Sequence, residues 1–159
     1  ALFFYTSDLD PPLVVRKKEL ADNVIASSNS IMARNLLALG QYFYDESYLD
    51  KARQMLNSMW AVIAPHPQPN FYANWSALAL ELLQPPYEEA VLGPEAASKR
   101  AALETHYLPN VRLLGGTSEG SLELLKDKLQ EGETLIYVCQ NKVCKFPVAD
   151  VDEALKLME

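Results

Sequence analysis

Cysteine and histidine are nearly absent from this chain, with two of each in 159 residues. Two cysteines cannot build a disulfide framework, and that scarcity favours a reducing compartment, read here as a bacterial cytoplasm. Two histidines argue against a Ser/His/Asp triad. A zinc site would need both of them beside Cys139 and Cys144, and neither His66 nor His106 stands at a ligand-like spacing, so no metal is expected. Basic residues are scarce too: 14 Lys and Arg against 21 Asp and Glu leave a net charge of −7. Such a chain repels a nucleic-acid backbone. Long apolar runs are missing as well. The longest span about four to six residues, far short of the ~20 that cross a bilayer, so no membrane contact is expected. Glycine is sparse, and Gly115-Gly116 lacks both the spacing and the Lys-Ser/Thr ending of a phosphate loop. No cofactor is implied. No charged leader precedes an apolar stretch. The chain opens at Ala1 in what reads as the middle of a strand, so it is expected to be the C-terminal part of a longer protein.

What is present is ordinary core material. Apolar residues make up 49% of the chain, enough to build a core at this length without staples. Leu2–Thr6 and Leu13–Arg16 are β-prone and flank a proline-bearing turn, which predicts an N-terminal hairpin. Met32, Leu36, Leu39 and Phe43 recur at helical spacing and predict a helix over 30–44. Tyr48, Ala52, Met55, Leu56, Met59 and Ile63 predict a second, antiparallel to the first. A third runs from a cap at Asn70 through Trp75, Leu78 and Leu82 to the stop at Pro85-Pro86. Beyond Pro86 the pattern changes. Strands are expected at 88–92, 111–114, 134–139 and 144–147, and helices at 94–107, 121–130 and 150–158. The order is β-α-β-α-β-β-α. The strand at 134–139 is apolar on both faces and should lie inside a sheet. Residues 1–86 thus read as mainly α and 87–159 as a small α/β unit.

At this point two segments resemble a known family. FYTSDLDPPLVVRKKELADNVIASSNSIMARNLLALG is similar to a stretch that reads roughly F-Y-D/T, R-x-K-E and D-G-x-x-P-S-x-N-S before a helix. YVCQNKVCKFPVADVDEAL is similar to Y-V-C-x-N-x-x-C-x-x-P before an acidic helix start. Both belong to thioredoxin-domain-containing proteins of the spermatogenesis-associated type. They lie about a hundred residues apart in the expected order, so with the helices between them the resemblance spans essentially the whole chain. The resemblance implies a parent with an N-terminal thioredoxin-like domain and an (α/α)6 toroid similar to N-acylglucosamine 2-epimerase and six-hairpin glycosidases. The expected architecture is therefore mixed: partial toroid helices with an N-terminal β-hairpin in 1–86, then the small, thioredoxin-ordered α/β unit in 87–159. Two positions depart from the family pattern, Asp22-Asn23 for Asp-Gly and Ala26 for a common proline. No catalytic residue carries over.

Arg16, Lys18, Glu19, Asp22, Ser28 and Asn29 are the candidate ligand-facing residues. In such a toroid they would line the mouth of the cavity and hydrogen-bond a carbohydrate, or exchange protons if burial shifted a pKa. Against that stands a solvated hairpin with an ordinary helix cap, for which Ser27, Ser28 and Asn29 suffice. Cys139 and Cys144 are the redox candidates. If Asn141-Lys142 forms a two-residue turn, the two cysteines face each other as a non-hydrogen-bonded pair, close enough for a bridge. The favoured alternative is a pair of reduced, buried thiols. A redox thioredoxin carries Cys-x-x-Cys where the first strand meets the first helix, and here that junction reads Leu92-Gly93-Pro94-Glu95-Ala96. Tyr42, Phe43, Tyr44, Trp60, Phe71, Tyr72 and Trp75 read as core rather than sugar-stacking platforms.

The leading expectation is a structural wall whose apolar flank is covered by the missing part of the parent or by a second copy. The rivals are one side of a sugar isomerase or epimerase site in the parent, and a thiol-redox module using Cys139 and Cys144.

Overall fold

In the computed structural model, which describes residues 1–11 and 14–158, the chain forms two compact units, Ala1–Leu83 and Gln84–Glu159. The first is built on three helices: α1 (Ser28–Phe43), α2 (Glu46–Ile63) and, after a 3-10 turn at Pro69–Tyr72, α3 (Ala73–Leu83). Ser27 caps α1, its side chain accepting from the Ser30 N–H. Tyr44 ends α1 in the left-handed region, and Asp45 at once caps α2 by accepting from the Ser47 N–H. That two-residue junction folds α1 and α2 into an antiparallel pair. Gly40 permits their close approach, since a Cβ there would lie 2.5 Å from the Leu49 side chain. The core joins Ala33 and Leu37 of α1, Ala52, Met55 and Met59 of α2, and Trp75 and Leu78 of α3. Each large side chain removed from water in this way contributes about 1.5–3 kcal/mol.

The second unit holds a four-stranded sheet of order β2-β1-β3-β4, with β1 (Tyr87–Leu92), β2 (Val111–Gly116), β3 (Leu135–Gln140) and β4 (Val143–Cys144). β1 and β2 run parallel through α4 (Ala96–Leu103), whereas β1–β3 and β3–β4 are antiparallel. Val91, Ile136 and Val138 form one core with Ala96 and Leu103 of α4 and Ala154 of α5 (Val151–Lys156). On the opposite face Tyr137 donates from Oη to the Lys128 carbonyl, so the segment before β3 lies over that side.

Several expectations need correction. Among the described residues the fold is five helices with a mixed four-stranded sheet, not a helical toroid. The N-terminal hairpin does not form: no strand occurs among the described residues before α1, and Leu13 of the expected second strand lies outside them. In its place, one Tyr5 N–H bonds the Lys17 carbonyl. The helix expected over 121–130 shrinks to a 3-10 turn at Glu123–Leu125. Unit 2 therefore lacks the second helix of the β-α-β-α-β-β-α order. The strand expected at 144–147 is only Val143–Cys144, followed by a single bridge from Val148 to Ile136.

Candidate functional site

The segment before α1 is held by side chains rather than by a sheet. Asn29, in the first turn of α1, accepts from the Phe3 N–H at 2.8 Å and donates to the carbonyls of Phe3 and Glu19 at 3.0 and 2.9 Å. Glu19 returns the contact, its carboxylate accepting from the Ser28 N–H at 2.9 Å. Asp22 accepts from the Ser27 N–H and the Ser30 hydroxyl with one oxygen, and from the Asn74 N–H with the other. Burial works against the charge on Asp22, but hydrogen bonds from Ser27, Asn74 and Ser30 outweigh it and hold the carboxyl below its ordinary value. Trp75 Nε1 donates to the Leu20 carbonyl at 2.7 Å, and the Asp22 N–H to Phe71. Glu19, Asp22, Ser28 and Asn29 thus meet at the start of α1, where the bonds they make go to backbone groups and to Ser30.

Arg16 and Lys18 go elsewhere. The Arg16 guanidinium lies 4.3 Å from the centre of the Phe4 ring and donates to the Thr6 carbonyl, while the Lys18 ammonium lies 4.6 Å from the same ring. Both side chains are exposed. The arrangement has the character of a surface cation–π cluster. Open cavities lie in unit 2. One, of about 370 Å³, lies among Val91, Ala97, Arg100, Leu114 and Gly116; another, of about 570 Å³, includes Gly93, Pro94 and Gly132. None of the six candidate ligand-facing residues lines either.

The cysteines are bonded to each other. Asn141 and Lys142 both have positive φ, the two-residue turn expected from the sequence, and it sets Gln140 opposite Val143 and Cys139 opposite Cys144. The favoured reading of two reduced thiols is overturned by the Cys139–Cys144 disulfide, whose Cα atoms are 3.8 Å apart. Cys139 is buried on the inner strand β3, while Cys144 on the edge strand is partly exposed. In the same row Glu88 is the register partner of Cys139, and Arg112 that of Glu88.

Glu89 escaped the sequence reading. It is fully buried, neither carboxylate oxygen has a hydrogen-bond partner, and burial pushes its pKa up to about 7. The signal was the pair Glu88-Glu89 inside a strand. Neighbours on a strand point to opposite faces, so one glutamate enters each layer. Among the described residues, no group of three His, Cys, Asp or Glu is placed to hold a metal, and no helix is long and apolar enough to cross a membrane.

The chain is similar to spermatogenesis-associated protein 20 of Homo sapiens, with 26% identity, and of Mus musculus, with 25%. Each match covers 98% of this chain and 21% of the relative, so the chain spans about a fifth of the length of these curated relatives. The coarse part of the sequence resemblance thereby stands. No family model and no solved structure matches, and nothing among the comparisons supports the epimerase-like toroid.

Proposed function

We propose that this chain is a structural element of a longer protein rather than a self-contained catalyst. One observation carries the reading: Glu19, Asp22, Ser28 and Asn29 are engaged in anchoring Phe3, Glu19 and Asp22 onto α1 and α3. A carboxylate held below its ordinary pKa by backbone donors is a poor proton shuttle near neutrality. Exposed apolar side chains on the same unit, Phe43, Trp60 and Leu83 among them, offer contact surface to the rest of the longer chain or to a second copy. The test is turnover of a panel of aldoses, ketoses and N-acyl sugars by the full-length parent and its Asp22→Asn and Glu19→Gln variants, beside their unfolding curves. A structural role predicts no sugar conversion, with the variants losing stability alone. Conversion that Asp22→Asn abolishes while the fold stays intact would sink the proposal.

The disulfide supports a second reading, that unit 2 takes part in thiol–disulfide exchange through Cys139 and Cys144. No cysteine stands at the β1–α4 junction, so a helix N-terminus activating a thiol there is not the mechanism. Counting free thiols after equilibration with glutathione buffers of graded potential tests it. A count unchanged across the biological range removes the reading.

A further inference from the structure

We infer that the Cys139–Cys144 bridge is chemically asymmetric: Cys144 Sγ is the sulfur that an incoming thiolate attacks, and Cys139 is the leaving thiol. The inference rests on the thiol-exchange reading and names its direction and its point of entry.

Attack on a disulfide needs approach to one sulfur with the other sulfur behind it, and access decides which sulfur is hit. Cys139 is 1% exposed and sits on β3, flanked by β1 and β4. Cys144 sits on the last strand of the sheet and keeps part of its surface in solvent. Val143 and Phe146, neighbours of Cys144 in sequence, are 73% and 93% exposed. An extended peptide bearing a cysteine would find the outer edge of β4 beside the sulfur it must reach. The partner class is therefore a peptidic thiol.

The far side of the bond also differs. Glu88 is the register partner of Cys139, so the two side chains stand on one face of the sheet, roughly 4.5–5.5 Å apart at Cβ. Arg112 follows Glu88 in the same row. On the near side, Lys145 directs its ammonium to the Leu157 carbonyl, at the end of α5. Burial disfavours a Cys139 thiolate and so slows its departure; the direction of attack therefore rests on access to Cys144, not on leaving-group strength.

The thiolate of the incoming peptide forms a bond to Cys144 Sγ. The Cys139–Cys144 bond breaks with its electron pair on Cys139 Sγ, which takes a proton from water. A second peptide thiolate then attacks the peptide sulfur of the mixed disulfide. Cys144 leaves as a thiolate, and the peptide thiols depart oxidised as their own disulfide.

The probe is glutathione, used on the full chain. With glutathione disulfide, the folded Cys139→Ser variant should acquire one adduct on Cys144. The folded Cys144→Ser variant should react at Cys139 roughly tenfold more slowly or less, because a buried thiol is inert. In urea the two rates should converge, which shows that the fold sets the difference. Brief exposure of the wild-type protein to reduced glutathione, quenched by acid, gives a second readout independent of the variants' folding: the trapped adduct should map to Cys144. Equal rates in the folded variants, or a trapped adduct on Cys139, would overturn the inference. If reduced glutathione leaves the wild-type bridge untouched while the variants differ as expected, the exchange reading fails and the asymmetry stands.

Discussion

Glu89 lies in register with Val138, on the sheet face where Val91, Ile136 and Val138 pack against α4 and α5. Its carboxylate is buried there without a hydrogen-bond partner. Desolvation of the charged form pushes the pKa up from 4.5 to about 7. The folded state therefore binds this proton more tightly than the unfolded chain does. Its favourable contribution is complete below pH 4.5 and is lost as pH rises to about 7. The loss is on the order of 3 kcal/mol, from 1.36 kcal/mol for each pH unit between the two pKa values. Urea unfolding at pH 5 and at pH 8 should show unit 2 less stable at the higher pH. Glu89→Gln should flatten that slope, and Glu89→Leu should raise stability at pH 8. A slope that survives Glu89→Gln would assign it to another group.

The Asn29 side chain ties Phe3 and Glu19 to the first turn of α1, and a buried amide with satisfied donors and acceptors is costly to delete. Asn29→Ala should cost about 2–3 kcal/mol and free the N-terminal segment to protease before α1 to α3 unfold. Asp22 gives a pH signature of opposite sign to that of Glu89. Its folded pKa is lowered, so its contribution is present above 3.8 and is lost as pH falls through the folded value. Acid unfolding of unit 1 should therefore begin at higher pH in Asp22→Ala. Unchanged acid midpoints in that variant would show that the Asp22 bonds add nothing.

Helix α2 was legible because its buried residues recur at three and four positions. Helix α1 was placed by Met32, Leu36, Leu39 and Phe43, but Met32, Leu39 and Phe43 are exposed and the core face is instead Ala33, Leu37 and Gly40. The hairpin was not legible, since Leu2–Thr6 has strand propensity but its backbone is claimed by Asn29, a tertiary bond no local pattern announces. The helix expected over 121–130 fails for a comparable reason. The Glu119 carboxylate accepts from the Lys128 and Leu129 N–H groups, and Asp127 takes positive φ, which turns the chain back on itself. The backbone bond from Leu129, with those from Asp127 and Lys128, holds the Glu119 carboxyl below its ordinary value against desolvation. The Cys139–Cys144 register was legible because a two-residue turn at Asn141-Lys142 fixes every pair behind it. The bond state was not, since the register permits either free thiols or a bridge. The toroid rested on resemblance alone, and three helices packed on one another carry no periodic signal that tells a ring fragment from an independent bundle.

Two adjacent glycines at the end of β2 test how tightly the parallel pair is packed. Gly115 has φ +130, and a Cβ there would stand 1.9 Å from the carbonyl oxygen of its register partner Val91. Backbone atoms on the neighbouring strand cannot yield as a flexible side chain would, and the conformation itself is disfavoured for any residue with a Cβ. Gly116 offers the contrast, since nothing lies within 4 Å of its Cβ position. Alanine at Gly115 should cost more than about 3 kcal/mol by the combined strain and overpacking. Alanine at Gly116 should fall within about 0.5 kcal/mol of the parent, as an unobstructed surface change does. Both can be read from urea midpoints of unit 2 at one pH, held below 4.5 so that Glu89 stays protonated in either state. If the two alanines cost the same, β1 and β2 do not approach each other as described, and the parallel register that sets Glu88 beside Arg112 falls with them.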